Sequence, residues 1–170
     1  MAELVEELPI EIQQPNGLAE HDMLGLLEAR YSAVNPGNGP RYVCARHVRS
    51  HAGFSARRTA DFVALDTWES KLALHGHEVK VSRSDWLAEL KQPEKAAEFI
   101  PWMHYWWLVV SHPSIVRDGE LPDGWGLMVP RGGGLVAVRP ARCNHQVRPL
   151  PLTRLAAFAR AIVRGGGSGG

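Results

Sequence analysis

The chain has 170 residues, 45% of them hydrophobic and 22% charged, which suits one globular domain with a proper core. No apolar run is long enough to cross a bilayer, and the acidic start lacks the basic region of a signal peptide. Two cysteines, Cys44 and Cys143, are too few for a disulfide framework, so a reducing cytoplasm is the expected location. Net charge is +1, but seven arginines and no acid follow Asp123, so the first 123 residues carry about −6. The basic C-terminal third permits a polyanionic partner without demanding one.

Residues 1–18, with Pro9, Pro15 and Gly17 among acids, read as an extended arm. The single domain is expected over 19–164, and Gly165–Gly170 reads as a flexible tail. From Ala19 to Val34 the spacing is helical, with Leu24, Leu27, Glu28 and Tyr31 on one side. A glutamate in that stripe is unusual. "NPGNGP" ends the helix. Arg41–Val48, Ala60–Trp68 and Leu72–Val81 read as three strands, the last two joined by a short connection at "WESK". Ser82, with Asp85 three residues on, resembles a capping box opening a helix to about Lys91, and Pro93 kinks it or starts another reaching Phe99. Trp102–Ser111 is apolar on both faces and reads as an interior strand. Two short strands surround the turn "RGGG", and Leu152–Arg164 closes with an amphipathic helix whose apolar side includes Leu155, Phe158 and Ile162. The order predicts an α/β fold, a mixed β-sheet flanked by helices.

The stretch "HGHEVKVSRSD" places Glu78 and Lys80 in a strand that should run into the core. If the second and third strands turn about Glu69 and Ser70, paired residue numbers add to 139, and Asp61 faces Glu78. Opposed residues share a face with Cβ atoms roughly 4.5–5.5 Å apart, and the two-residue period puts Lys80 on the same face. Two carboxylates so placed repel one another and are costly to desolvate. A divalent cation between them removes that conflict. Carboxylate, carbonyl and water oxygens suit Mg²⁺ or Mn²⁺, and a lysine beside the cation can orient water and steady a phosphate. Glu28, on the side of the first helix that packs on the sheet, could reach the same cation or instead pair with Arg30 or a strand arginine.

An acid opening one strand, then acid-x-lysine on the next, resembles the PD-(D/E)XK nuclease superfamily. "RRTADFVAL", "HEVKVSRSDW" and the following Lys91 are similar to the MmcB-like group of DNA-repair nucleases of bacteria and phages. The resemblance covers about residues 20–140. It implies a restriction-endonuclease-like α-β-β-β-α-β core and a Mg²⁺- or Mn²⁺-dependent nuclease acting on DNA in repair, recombination or phage DNA metabolism. It implies metal ligation by Asp61, Glu78 and the Val79 carbonyl, with Lys80 as catalytic lysine and Glu28 as the helix-borne acid. Arg57, Arg58 and Lys91 are the implied phosphate contacts, and cleavage leaves a 5′-phosphate. The residue before Asp61 is Ala60, where the motif's name has proline.

Other readings are bland or rival. Asp61, Glu78 and Lys80 could form a salt-bridged patch on a wet sheet face. A non-catalytic nucleic-acid-binding module could keep the same fold. Cys44, His47, Cys143 and His145 could build a zinc-stabilised interaction domain, although in a regular strand Cys44 and His47 point to opposite faces. His77 is expected to point away from the site. Most of the aromatic cluster Trp102, Tyr105, Trp106 and Trp107 suits a core better than a base-stacking platform. The basic C-terminal surface, with Arg139, Arg142 and Arg148, competes as a DNA contact. Monomer and homodimer are both open.

Overall fold

The computed structural model describes residues 17–35, 37, 39–54 and 58–166. The proposed arm up to Asn16 and the phosphate contact expected of Arg57 lie outside them.

The elements run α1 (Glu20–Arg30), β1 (Val34–Asn35), β2 (Gly39–Pro40), β3 (Tyr42–Arg49), β4 (Thr59–Asp66), β5 (Ala73–Lys80), α2 (Arg83–Leu90), α3 (Glu94–Ala97), β6 (Tyr105–Val110), β7 (Gly126–Arg131), β8 (Gly134–Arg139) and α4 (Leu152–Gly166). Strands β3 to β8 form one six-stranded sheet in sequential order, and β1 and β2 pair separately. The β3–β4, β4–β5 and β7–β8 pairs are antiparallel, whereas β5–β6 and β6–β7 are parallel. The fold is α/β, a mixed sheet flanked by helices, and α1, β3, β4, β5, α2 and β6 follow the expected α-β-β-β-α-β order.

Period-2 alternation sorts the core into two layers. On one face, Met23, Leu24, Leu27 and Tyr31 of α1 pack against Phe62, Ala64, Val79, Trp107 and Val109. On the other, Trp86, Ala96, Phe99, Phe158 and Ala161 cover Ala45, Val63, Trp106, Leu108 and Val110. Each large side chain fully buried here contributes about 1.5–3 kcal/mol of hydrophobic stabilisation. Because β6 contributes to both layers, its continuous apolar run is explained. Trp106 and Trp107 are core residues.

Local chemistry accounts for the boundaries. Ser82 accepts from the Asp85 N–H at 3.1 Å and so caps α2. Pro93 lacks the N–H that would continue α2, and α3 begins just after it. Two expectations are corrected. α1 ends at Arg30, four residues early, because Val34 and Asn35 pair with β2. α4 continues into the first two glycines, and it buries Ala157, Phe158 and Ala161 while Leu155 stays 47% exposed. The helix is rotated so that its small residues sit close on β3.

One close approach carries a prediction. A Cβ added at Gly76 would lie 2.4 Å from the Trp106 ring, which Phe99 and Trp125 flank with centroids 6.0 and 5.9 Å away. These two neighbours limit how far the ring can shift. Gly76→Ala is therefore expected to destabilise the fold by about 1–3 kcal/mol, the usual cost of overpacking a core. Urea unfolding checks this as a lower midpoint with an unchanged slope.

Candidate metal centre and catalytic site

The β4–β5 pairing follows the expected register, with Leu65 opposite Leu74 and Phe62 opposite His77. The ladder then stops, one residue before Asp61 and Glu78 would pair. On its other side, β4 pairs with β3 at Phe62↔Arg46 and Ala60↔Val48 but skips the position between. Asp61 thus lies where the ladders on both sides of β4 part. Its carboxylate accepts the Val79 backbone N–H at 2.7 Å, so the side chain takes the place of a strand partner.

The residue skipped on β3 is His47. It has φ 50°, the one non-glycine in the left-handed region among the described residues, a conformation that sterics disfavour and histidine tolerates better than most. Glu20, the first residue of α1, comes in from the helix. Ligand atoms of Glu20, His47 and Asp61 lie within 4.8 Å of one another, a spacing that fits two or three coordination positions around one cation. Among the described residues this is the one group of three or more such donors. It contains no cysteine, so the zinc quartet of Cys44, His47, Cys143 and His145 is not assembled.

Glu78 and Lys80 stand beside this group on β5, both side chains 14% exposed. Lys80 Nζ lies 2.5 Å from Glu78 Oε1 and 3.2 Å from Glu89 Oε2, and the Glu89 side chain, from α2, is 6% exposed. Lys95 stands 3.6 Å from the same Glu89 oxygen. Burial raises the Asp61 carboxyl above its ordinary value, against the Val79 N–H and Lys80, which lower it. Burial and then the Asp61 charge push Glu78 up to about 7. For Lys80, burial disfavours the charge, but Glu78, Glu89 and Asp61 outweigh it and raise the ammonium to about 12.

Glu28 requires a correction. It lies two turns along α1 from Glu20, about 12 Å by helical rise. Its carboxylate binds Arg46 at 2.5 and 2.7 Å, and its side chain is 51% exposed. The helix-borne acid beside Asp61 is Glu20. Of the implied phosphate contacts, Arg58 lines a cavity next to Lys80, whereas Lys91 is an exposed residue at the end of α2 outside that lining. His77 points to the opposite face, as expected. It is fully buried, accepts the Tyr31 O–H at Nε2 at 2.8 Å and donates from Nδ1 to the Phe62 carbonyl at 3.2 Å.

The two buried groups set opposite pH dependences. Glu78 is raised from 4.5 to about 7, so its contribution to metal-free stability is complete below about pH 4.5 and is lost as pH rises through 7. His77 is lowered from 6.5 to about 3 by burial and then by His75, so its contribution is present above pH 6.5 and is lost as pH falls toward 3. Without metal, the two offset one another between about pH 4.5 and 6.5, so the net losses of thermal stability are expected between about pH 6.5 and 7 and below about pH 4.5. Glu78→Gln should remove the loss near pH 7 and extend the acid one up to about pH 6.5, which melting curves from pH 3 to 9 resolve.

No family model and no curated protein matches the chain. Its fold is similar to the solved structure of a protein of unknown function, SPO1766 from Silicibacter pomeroyi, with TM-score 0.54. The two are 16% identical over 92% of this chain and 89% of the other. The likeness is one of fold alone.

Proposed function

We propose that the protein is a divalent-metal-dependent nuclease of PD-(D/E)XK type that hydrolyses phosphodiester bonds in DNA, acting in the cytoplasm. One observation carries the reading. Where β4 parts from its neighbours, Asp61 and Glu78 stand side by side, with Glu20 and His47 gathered on Asp61 and Lys80 against Glu78. A wet salt-bridged patch is disfavoured, because Glu78, Lys80 and Glu89 are largely covered.

Asp61, Glu20 and His47 hold Mg²⁺ or Mn²⁺ in this reading, with Glu78 and the Val79 carbonyl as the further donors that the resemblance implies. When bound, such a cation polarises a phosphate oxygen and lowers the pKa of water. Lys80, held charged by its carboxylates, orients the attacking water and steadies the phosphate, and Arg58 supplies a phosphate contact at the rim. The resemblance adds a 5′-phosphate product and a role in DNA repair, recombination or phage DNA metabolism.

Metal binding tests the assignment. Glu20→Gln is expected to weaken Mn²⁺ affinity by about 10-fold or more, since a lost ligand costs at least what a supporting residue costs. Glu28→Gln should leave affinity unchanged and cost below about 1 kcal/mol of stability, the usual limit for an exposed pair. Calorimetric titration measures both; equal losses from the two variants contradict the site.

A further inference from the structure

A cavity of about 250 Å³ opens beside Lys80, with Arg58, Thr59 and Lys95 in its wall. Phe99 and Trp106, 3% and 4% exposed, also line it and belong to the packed core. A strand that entered this cavity has no way through the core behind it, so the cavity suits the end of a strand.

The charged wall carries spare donor capacity. Arg58 stands 3.5 Å from Glu94, whose side chain is 60% exposed, and Lys95 stands 3.6 Å from Glu89. Both separations exceed the roughly 2.7–2.9 Å of a hydrogen-bonded ion pair, so a better-placed anion can outcompete these carboxylates. The two carboxylates in the lining, Glu78 and Glu89, already share Lys80. Thr59 adds a hydroxyl at the start of β4.

We propose that this cavity is a terminal-phosphate subsite, and that the protein acts on nucleic-acid strands presenting a phosphorylated end. The dianionic phosphate monoester sits between Arg58 and Lys95, and the first phosphodiester then lies toward Lys80 and Glu78. The substrate class rests on the nuclease reading, but the recognition of a phosphate monoester is a separate property of the cavity.

Three single-stranded oligonucleotides of one sequence, bearing a 5′-phosphate, a 3′-phosphate or hydroxyls at both ends, test it. Affinity is measured by fluorescence anisotropy in EDTA, with the full chain and with Lys95→Ala. The expected result is at least tenfold tighter binding of one phosphorylated form, with the end identifying the polarity. Lys95→Ala should erase that preference, bringing the phosphorylated form to the affinity of the hydroxyl-ended one. Equal affinity for all three, no binding of any, or a preference untouched in Lys95→Ala overturns the subsite. A separate assay of metal-dependent cleavage on hydroxyl-ended DNA distinguishes the two readings. Cleavage without end preference removes the subsite and leaves the nuclease, and end-selective binding without cleavage does the reverse.

Discussion

Asp61→Asn is expected to reduce metal-dependent DNA cleavage by at least about a hundredfold while the protein remains folded. The magnitude follows from position: replacing residues that only support a metal ligand commonly costs 10–100-fold, and Asp61 is the carboxylate on which Glu20, His47 and Glu78 converge. Asparagine is nearly isosteric, and its side-chain oxygen can still accept the Val79 N–H, so the parted strands keep their tie. Removing one negative charge also relieves Glu78, so metal-free stability should hold or rise. Cleavage rates, a melting curve and a Mn²⁺ titration on the same preparation check all three. Undiminished cleavage would remove Asp61 from the site.

Lys80→Ala carries the second large effect, and it is double. The lysine is the shared partner of two largely buried carboxylates, Glu78 and Glu89. Removing it leaves them facing each other with only Lys95, at 3.6 Å from Glu89, for compensation. Breaking a buried pair in this way typically costs about 3–5 kcal/mol. Turnover on saturating substrate should also fall by about 10²–10³, the range for losing one donor aimed at transition-state charge. Urea unfolding reads the first effect and single-turnover kinetics at low temperature the second. A variant that kept its turnover but lost DNA binding would make Lys80 a phosphate contact only.

The parts of the site that the sequence disclosed are those set by a two-residue period. The turn at Glu69–Lys71 holds β4 and β5 in the register that adds to 139, and that register sets Asp61 next to Glu78 although the ladder stops one pair short of them. Lys80 follows from the same alternation. His47 is hidden because "RYVCARHV" reads as a regular strand and carries no signature of its left-handed backbone; the skipped pair opposite Asp61 reveals it. Glu20 was hidden for a related reason. The periodicity singles out a glutamate within the apolar stripe of α1, yet the acid beside Asp61 is the first residue of the helix. Glu28 fits the stripe but is claimed by Arg46, whose reach across from β3 is a tertiary fact. Glu89 gave no signal, since a glutamate late in a short helix normally faces water. α4 misled for a geometric reason: Leu155 is more apolar than Ala157 or Ala161, but the alanines permit the closer approach to β3.

Cleavage of labelled linear and circular DNA by the purified full chain tests the central claim most directly, with Mg²⁺, Mn²⁺ or EDTA and with Asp61→Asn alongside. The predicted result is cleavage of at least one of these DNAs that requires the divalent cation, vanishes in EDTA and is lost in the variant. Cleavage that survives EDTA or Asp61→Asn, or no cleavage of any DNA with either cation, would contradict it.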